Sequence, residues 1–196
     1  MSDTLSPDAR PLTLARVLAV QAHANRLANR RLQAALANLS TSELHSKRIS
    51  FFPSLIGTLN HLLAVDRYYI AALHGEADMV EQYKRFAPHD ELAPYAAAQD
   101  ASDNRLIAFC DRLDDAGVGA EVAMDRGDGK VQRDRAGYVL AHLFMHQTHH
   151  RGQVHSMLSG THVKPPQLDE FVMPSDASFR VMDMSALGWT EREVYG

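Results

Sequence analysis

Apolar residues recur at intervals of three and four along four long stretches of this 196-residue chain. This spacing places them on one face of an α-helix, so it predicts four helices that each have one side to bury. The predicted helices cover Thr13–Leu39, Ser54–Leu73, Tyr95–Leu113 and Tyr138–Leu158. Four such helices favour an all-α fold, an antiparallel four-helix bundle that forms one domain over residues 1–196.

The segments between these helices contain residues that favour turns. Residues 76–94 are polar and are interrupted by two prolines, which predicts a long connection with one helical turn. The glycines of Arg126-Gly127-Asp128-Gly129 predict a small hairpin, because glycine adopts the positive φ that tight turns need. The remaining expectations are hairpin strands at Glu121–Met124 and Val131–Arg135, an N-terminal extension over residues 1–11, and an irregular tail over residues 161–196 that wraps the bundle.

The charge of the chain argues against two classes of partner. The 20 Lys and Arg residues are outnumbered by 24 acidic residues, and the net charge of -4 predicts binding neither to nucleic acid nor to an anionic membrane. No stretch of about 18 apolar residues occurs, and the first residues lack the pattern of a signal peptide, so we expect a cytoplasmic protein. The single cysteine, Cys110, is expected to be a small buried apolar residue rather than a nucleophile.

Histidine is the residue type that points to chemistry, since five of the 11 histidines lie between His142 and His155. His142, His146 and His150 follow one another at four-residue steps and therefore share a helix face. Two imidazoles spaced in this way can bind one metal ion. His149 lies three residues after His146, and the spacing leaves open whether His149 takes the place of His150.

A third ligand is available on the second predicted helix, where His61 stands within Leu59-Asn60-His61-Leu62-Leu63. Three protein ligands with an open position are typical of catalytic rather than structural zinc. Imidazole suits zinc, nickel, copper or iron better than magnesium or calcium. The alternatives are that His61 is a hydrogen-bonded core residue and that the histidines of the last helix form a solvated polar face.

Other polar residues can support such a site. Asn25 interrupts the apolar face of the first helix, and a buried amide needs hydrogen-bond partners, either from the backbone or from a polar site inside the bundle. Gln153 lies three residues beyond His150 and can bond to a ligand imidazole. We expect His142 to be a packed neutral histidine with a backbone partner, and the alternatives are a fourth ligand or a proton-transfer group. His155 lies off the shared face at the surface.

Two stretches of the sequence resemble the DinB family of damage-inducible-type bacterial proteins. They are Gly57-Thr58-Leu59-Asn60-His61-Leu62-Leu63 and His142-Leu143-Phe144-Met145-His146-Gln147-Thr148-His149-His150-Arg151-Gly152-Gln153. The likeness extends from residues 25–32 to residues 165–169. It implies a four-helix bundle in which His61, His146 and His150 hold one divalent transition metal, zinc or nickel first and iron or manganese next.

The resemblance also implies a function. The family is similar to transferases in which a metal activates bacillithiol, mycothiol or glutathione for attack on a small electrophile. Cytoplasmic homodimers are common in it, so we expect a homodimer that acts on a small-molecule substrate or thiol. An aromatic residue is frequent in the family where this chain has Leu27, and an asparagine where it has Met145, so the pocket wall and the surroundings of His146 differ from the common pattern.

Two other functions remain open at the level of sequence. The first is a non-catalytic, stress-associated metal-binding protein whose ion holds two helices together, which a fourth protein ligand such as His142 or Asp169 would favour. The second is a metal-free bundle that binds an apolar ligand between its helices.

Overall fold

The structure is a computed structural model, and it describes residues 11–196. The expected extension over residues 1–11 lies outside the described residues except for Pro11. The elements in chain order are α1 (Leu14–Leu36), α2 (Thr41–His45), α3 (Leu55–Leu73), α4 (Met79–Lys84), α5 (Leu92–Cys110), α6 (Asp115–Val118), β1 (Glu121–Asp125), β2 (Val131–Arg135), α7 (Ala136–Leu158), a 3-10 turn (Pro174–Asp176), α8 (Ala177–Ala186) and α9 (Glu191–Tyr195). The mainly helical fold and the single small hairpin agree with the sequence over the described residues.

Local capping explains where the first two long helices begin. The Thr13 side chain accepts a hydrogen bond from the backbone N–H of Arg16, and the Ser54 side chain accepts one from Gly57. These bonds satisfy backbone donors that have no partner within the helix. Gly75, with φ of +70°, follows the end of α3.

The third long helix departs from the prediction at both ends. It begins at Leu92 rather than Tyr95 and ends at Cys110 rather than Leu113. Pro94 was expected to interrupt the chain, but it lies in the first turn of α5, where a missing backbone N–H costs no helical hydrogen bond. The first helix is shorter than predicted and ends at Leu36 rather than Leu39.

The four long helices contact one another in pairs. α1 packs against α5 and α7, and α3 packs against the same two helices. Apolar side chains of these helices contribute to two large core clusters, one containing Leu140 and Leu143 and the other containing Leu63 and Leu158, and a third cluster involves the C-terminal segment. These contacts suit a bundle, and the antiparallel four-helix arrangement stays a prediction.

The hairpin packs beside one end of α3. β1 and β2 are antiparallel, and Gly127 and Gly129 adopt φ of +77° and +80° in the turn between them. The Tyr68 hydroxyl of α3 donates a hydrogen bond of 2.5 Å to the Asp125 carbonyl. The predicted hairpin is therefore present and is held against the long helices.

The C-terminal segment corrects the expectation of an irregular tail, because it forms the 3-10 turn, α8 and α9. These elements are too short to show a sustained helical period in the sequence. Phe171, Met184 and Val194 of this segment share a buried apolar cluster with Leu27 of α1. No helix in residues 11–196 is long and apolar enough to cross a membrane.

Candidate metal site

Three imidazoles converge between α3 and α7. His61 belongs to α3, whereas His146 and His150 lie one turn apart on α7, and one nitrogen from each ring lies within 4.8 Å of the others. The Nε2 atoms of His61 and His146 are 3.2 Å apart. Two imidazole nitrogens on one tetrahedral zinc ion lie about 3.3 Å apart, given Zn–N bonds of about 2.0–2.1 Å. We call His61, His146 and His150 the triad, and its spacing fits one transition-metal ion.

The triad is held in the neutral form that binds metals. Burial lowers the pKa of His146 to about 3, and repulsion from His150 and His61 adds to this effect. Burial also lowers the pKa of His61 and of His150. A metal ligand must offer a lone pair, so the imidazoles need not release protons before binding an ion at neutral pH.

Gln153 fixes the orientation of His150. The Nδ1 atom of His150 lies 2.8 Å from the amide oxygen of Gln153, to which only an N–H can donate. The proton is therefore assigned to Nδ1, and Nε2 is left to bind an ion. This contact is the one that the sequence predicted, and such outer partners hold ligand imidazoles in position.

His146 has an unusual environment for a residue without a ligand. Its Nδ1 atom is buried and has no hydrogen-bond partner among the described residues. Its Nε2 atom faces the Nε2 atom of His61. A cation between the two Nε2 atoms would accept one lone pair from each ring, with the proton of His146 then on its Nδ1 atom.

Two residues near the triad were not singled out from the sequence. The Phe52 ring stacks on His61 with centroids 4.2 Å apart and also lies 5.8 Å from His150. The Asn60 side chain donates a hydrogen bond to the His89 carbonyl and accepts one from the His89 N–H, both at 2.8 Å. These bonds hold the connection before α5 beside the triad. The sequence indicates Phe52 only as part of a helix entrance, since its contact with His61 joins two elements.

The other histidines of α7 lie outside the triad. His149 is exposed and receives a hydrogen bond from the Gln153 amide, so the structure brings His150 and not His149 to His61. His142 is exposed, and its ring packs edge-on against Tyr69, but within residues 11–196 it lacks the backbone partner that was expected. His155 is half-buried rather than a free surface residue, because it bonds to the Pro166 carbonyl at 3.0 Å.

A cleft of about 510 Å³ opens beside the triad, and its size suits a small molecule. His146 and His142 line it from α7, and Tyr69 lines it from α3. Arg126 of the hairpin turn adds a positive charge. The cleft therefore gives a small anionic or polar molecule access to one ligand of the triad.

A buried polar layer crosses the middle of the four long helices. It contains Asn25, Asn29, Asp66, Tyr95, Gln99, Asp103, Gln147 and Arg151. Asn25 donates to Asp103 and accepts from Arg151, so its partners are side chains inside the bundle rather than backbone groups. Within residues 11–196, no hydrogen bond joins Asn25 to a triad imidazole. Asn25 therefore does not support the triad by direct contact.

This layer makes folding stability depend on pH. Burial and the nearby Asp103 carboxylate raise the pKa of Asp66 well above its usual range, and burial raises the pKa of Asp103 to about 6. A raised pKa in the folded state means that the folded chain holds protons that the unfolded chain has lost. The contribution of these two carboxyls to the free energy of unfolding is therefore fully present below about pH 4. It is lost as the pH rises through their pKa values in the folded state.

We expect Asp66→Asn to reduce this dependence. In metal-free protein, the contribution of these two carboxyls to stability should fall as the pH rises from about 4 through their folded pKa values, which are about 6 for Asp103 and well above the usual range for Asp66, by at most about 1.4 kcal/mol per pH unit for one proton. The lowered pKa values of the triad imidazoles act in the opposite direction, so the variant is compared with the wild-type chain at each pH. Asp66→Asn should flatten the fall in urea unfolding, whereas Asp128→Asn in the exposed hairpin turn should leave it unchanged. An unchanged slope in Asp66→Asn would contradict the assignment.

Cys110 behaves as the sequence suggested. Its side chain is 1 % exposed, and burial raises the pKa of its thiol to about 12. A thiol that is protonated at neutral pH is a poor nucleophile. Cys110 therefore supplies no reactive thiolate.

The fold and the site place this chain in a class of helical proteins in which three imidazoles from two neighbouring helices converge. The chain matches the DinB family over residues 13–178, and it belongs to that family. DinB-family proteins are metal-binding, and the triad could hold an ion. No curated protein matches the chain.

Proposed function

We propose that this protein is a metal-dependent transferase that activates a low-molecular-weight thiol, or water, for attack on a small electrophile. One observation carries the proposal. The triad gathers three imidazole nitrogens and no fourth histidine, cysteine or carboxylate of residues 11–196 joins them. Three protein ligands leave a coordination position for a thiol, water or substrate atom.

The chain's own residues have defined tasks in this proposal. His61, His146 and His150 would hold zinc or nickel, with iron or manganese as further candidates, and Gln153 orients the His150 ring. A bound divalent ion supplies a Lewis acid that lowers the pKa of a thiol or water in the open position. Phe52 covers one side of the His61 ring and excludes water there.

The cleft beside His146 would position the small molecule. Its aromatic wall, which includes Tyr69, can pack against an apolar group, and Arg126 can bind an anionic group. We further propose that the protein acts in the cytoplasm as a homodimer without nucleic-acid or membrane partners. The chain's net charge of -4 supports the last point.

The thiol hypothesis is tested by proton release. Untagged protein loaded with zinc is titrated with glutathione in weakly buffered solution at about pH 7, where the free thiol is protonated. We expect about one proton to be released for each thiol bound, and none with metal-free protein. Zinc-loaded protein that releases no proton with glutathione, cysteine or bacillithiol would exclude thiol activation.

The non-catalytic alternative makes a different prediction. If the ion only holds α3 to α7, zinc will raise the unfolding temperature, but no thiol will bind to the loaded protein. His142 lies against Tyr69, and Asp169 lines a cleft on another face of α7, so neither closes the triad as a fourth ligand. This arrangement favours the enzyme.

A further inference from the structure

A second cleft of about 450 Å³ lies between α1, α7 and residues 167–172. Thr148 and Arg151 line it from α7. Each residue of an α-helix advances by about 100°, so Thr148 lies about 200° around the axis from His146. The cleft is therefore on the opposite side of α7 from the triad, and the proposed reaction does not use it.

Apolar side chains form one part of the wall of this cleft. Ala24 and Ala28 of α1, Phe144 of α7, and Leu168 and Phe171 of the C-terminal segment line it. A pocket of this size that combines apolar surface with polar groups can hold a small organic molecule. The polar groups then decide which chemical class is recognised.

Arg151 is the arginine of the cleft, and only one of its three side-chain nitrogens is hydrogen-bonded within residues 11–196. Its Nη1 atom donates to the side-chain oxygens of Asn25, of Asn29 at 3.0 Å and of Gln147 at 3.2 Å. Its Nε and Nη2 atoms have no hydrogen-bond partner among residues 11–196, and no carboxylate there forms an ion pair with it. Arg151 is half-buried, so its Nε–H and Nη2–H groups remain available to an anion that enters the cleft.

The Asp103 carboxylate does not fill this role directly. Asn29 accepts from Arg151 and donates to Asp103 at 3.1 Å, so one amide separates the two charges. The free edge of the guanidinium consists of Nε and Nη2. Parallel N–H groups of this kind bind a carboxylate through two hydrogen bonds.

We propose that this cleft binds a small monocarboxylate with an apolar body, whose carboxylate pairs with Nε and Nη2 of Arg151. The apolar body lies against Ala28 and Phe171. A single negative charge is favoured over two, because Asp169 lines the cleft and Asp103 lies one amide behind Arg151. This site is separate from the triad and does not rest on the proposed transferase activity.

The test uses the zinc-loaded full chain and 4-fluorophenylacetate as the probe, followed by fluorine NMR. We expect saturable binding of the acid. The neutral 4-fluorophenylethanol should bind at least about tenfold more weakly, since it forms no charge-assisted hydrogen bonds with Arg151. 4-Fluorophenyl phosphate should also bind more weakly than the acid. Equal binding of acid and alcohol, stronger binding of the phosphate, or no saturable binding would overturn the proposal.

Gly152→Leu locates the site without disturbing the polar layer. Gly152 lines the cleft and is exposed, and a Cβ added to it would meet no packed neighbour within 4 Å. Leucine also favours the helix over glycine, so folding should be retained. We expect at least a tenfold loss of probe binding, whereas Ser156→Leu, one turn further along α7 and outside the cleft lining, should bind normally.

His61→Ala separates this site from the triad, because a carboxylate can also bind a metal ion. The variant should keep its affinity for 4-fluorophenylacetate even when it has lost zinc. Binding that disappears in His61→Ala would place the probe at the triad, and binding that survives in Gly152→Leu would place it outside this cleft. Either result would overturn the proposal. Failure of metal binding in the wild-type chain would leave the fluorophenylacetate result unaffected.

Discussion

His146→Ala should remove near-stoichiometric metal binding from the purified protein. The triad supplies three nitrogens, and His146 is the member whose Nε2 lies 3.2 Å from His61 and whose centroid lies 4.4 Å from that of His150. Loss of an outer partner of a metal ligand costs about 10–100-fold in affinity, and loss of the ligand itself should cost more than about 100-fold. Elemental analysis of untagged protein and zinc titration measure the change.

Two further variants serve as a control and as an intermediate case for the loss of metal affinity. His149→Ala is the matched control, since His149 is an exposed imidazole on the same helix that lies outside the triad, and it should retain full metal content. Gln153→Ala should lie between the two, with zinc bound about 10–100-fold more weakly, because the His150 ring loses its acceptor. Full occupancy in His146→Ala, or loss in His149→Ala, would refute the ligand set.

Metal binding should also appear as stability. A ligand that binds only the folded state at 100 times its Kd stabilises it by about 2.7 kcal/mol. Zinc should therefore raise the unfolding free energy of the wild-type chain and leave that of His146→Ala nearly unchanged. Circular dichroism of the variant should still show a helical protein, because His146 contributes no large apolar surface to either core cluster.

Arg180→Ala is expected to give the largest loss of stability among single substitutions in the C-terminal segment. Arg180 has 0 % exposure, pairs with both oxygens of Glu191 at 2.8 Å and donates to the Met173 carbonyl at 2.8 Å. Its guanidinium carbon also lies 3.9 Å from the centre of the Tyr195 ring. Removing one partner of a buried ion pair costs about 3–5 kcal/mol. Glu191 is partly exposed, so water can solvate it in the variant, and the expected loss lies at the lower end, about 3 kcal/mol.

Urea unfolding measures this loss of stability, and hydrogen exchange shows which helices lose protection. Amides of α8 and α9 should lose protection first, since Arg180 connects these helices to each other and to the chain before them. Arg192→Ala is the matched control on the exposed side of α9 and should change stability by no more than about 0.5 kcal/mol. Wild-type stability in Arg180→Ala would contradict the role given to this buried arginine.

The beginning of α3 shows what the sequence alone could supply. Ser54 caps a helix whose apolar residues are spaced in the helical period, and both signals are local. The same holds for the hairpin turn, where Gly127 and Gly129 adopt positive φ. The relation between His146 and His150 is equally local, because a four-residue step fixes two side chains on one helix face.

Tertiary structure decided the features that join distant parts of the chain. The 3.2 Å approach of His61 and His146 spans 85 positions of sequence, and the stacking of Phe52 on His61 depends on how the chain enters α3. The choice of His150 over His149 depends on which side of α7 faces α3. Both histidines have suitable spacing from His146, so helical geometry cannot separate them.

Tertiary structure also decided the C-terminal segment and the polar layer. α8 and α9 gain their stability from contacts with α1 and from Arg180, not from a long helical pattern. The partners of Arg151 come from α1 and from its own helix, and Asp103 comes from α5. Sequence thus determined the helices, the turn and the face that carries His146, since these follow from short-range geometry. Only the packed chain decided the triad, the second cleft and the single hydrogen-bonded nitrogen of Arg151, because burial and pairing are set by neighbours that are remote in sequence.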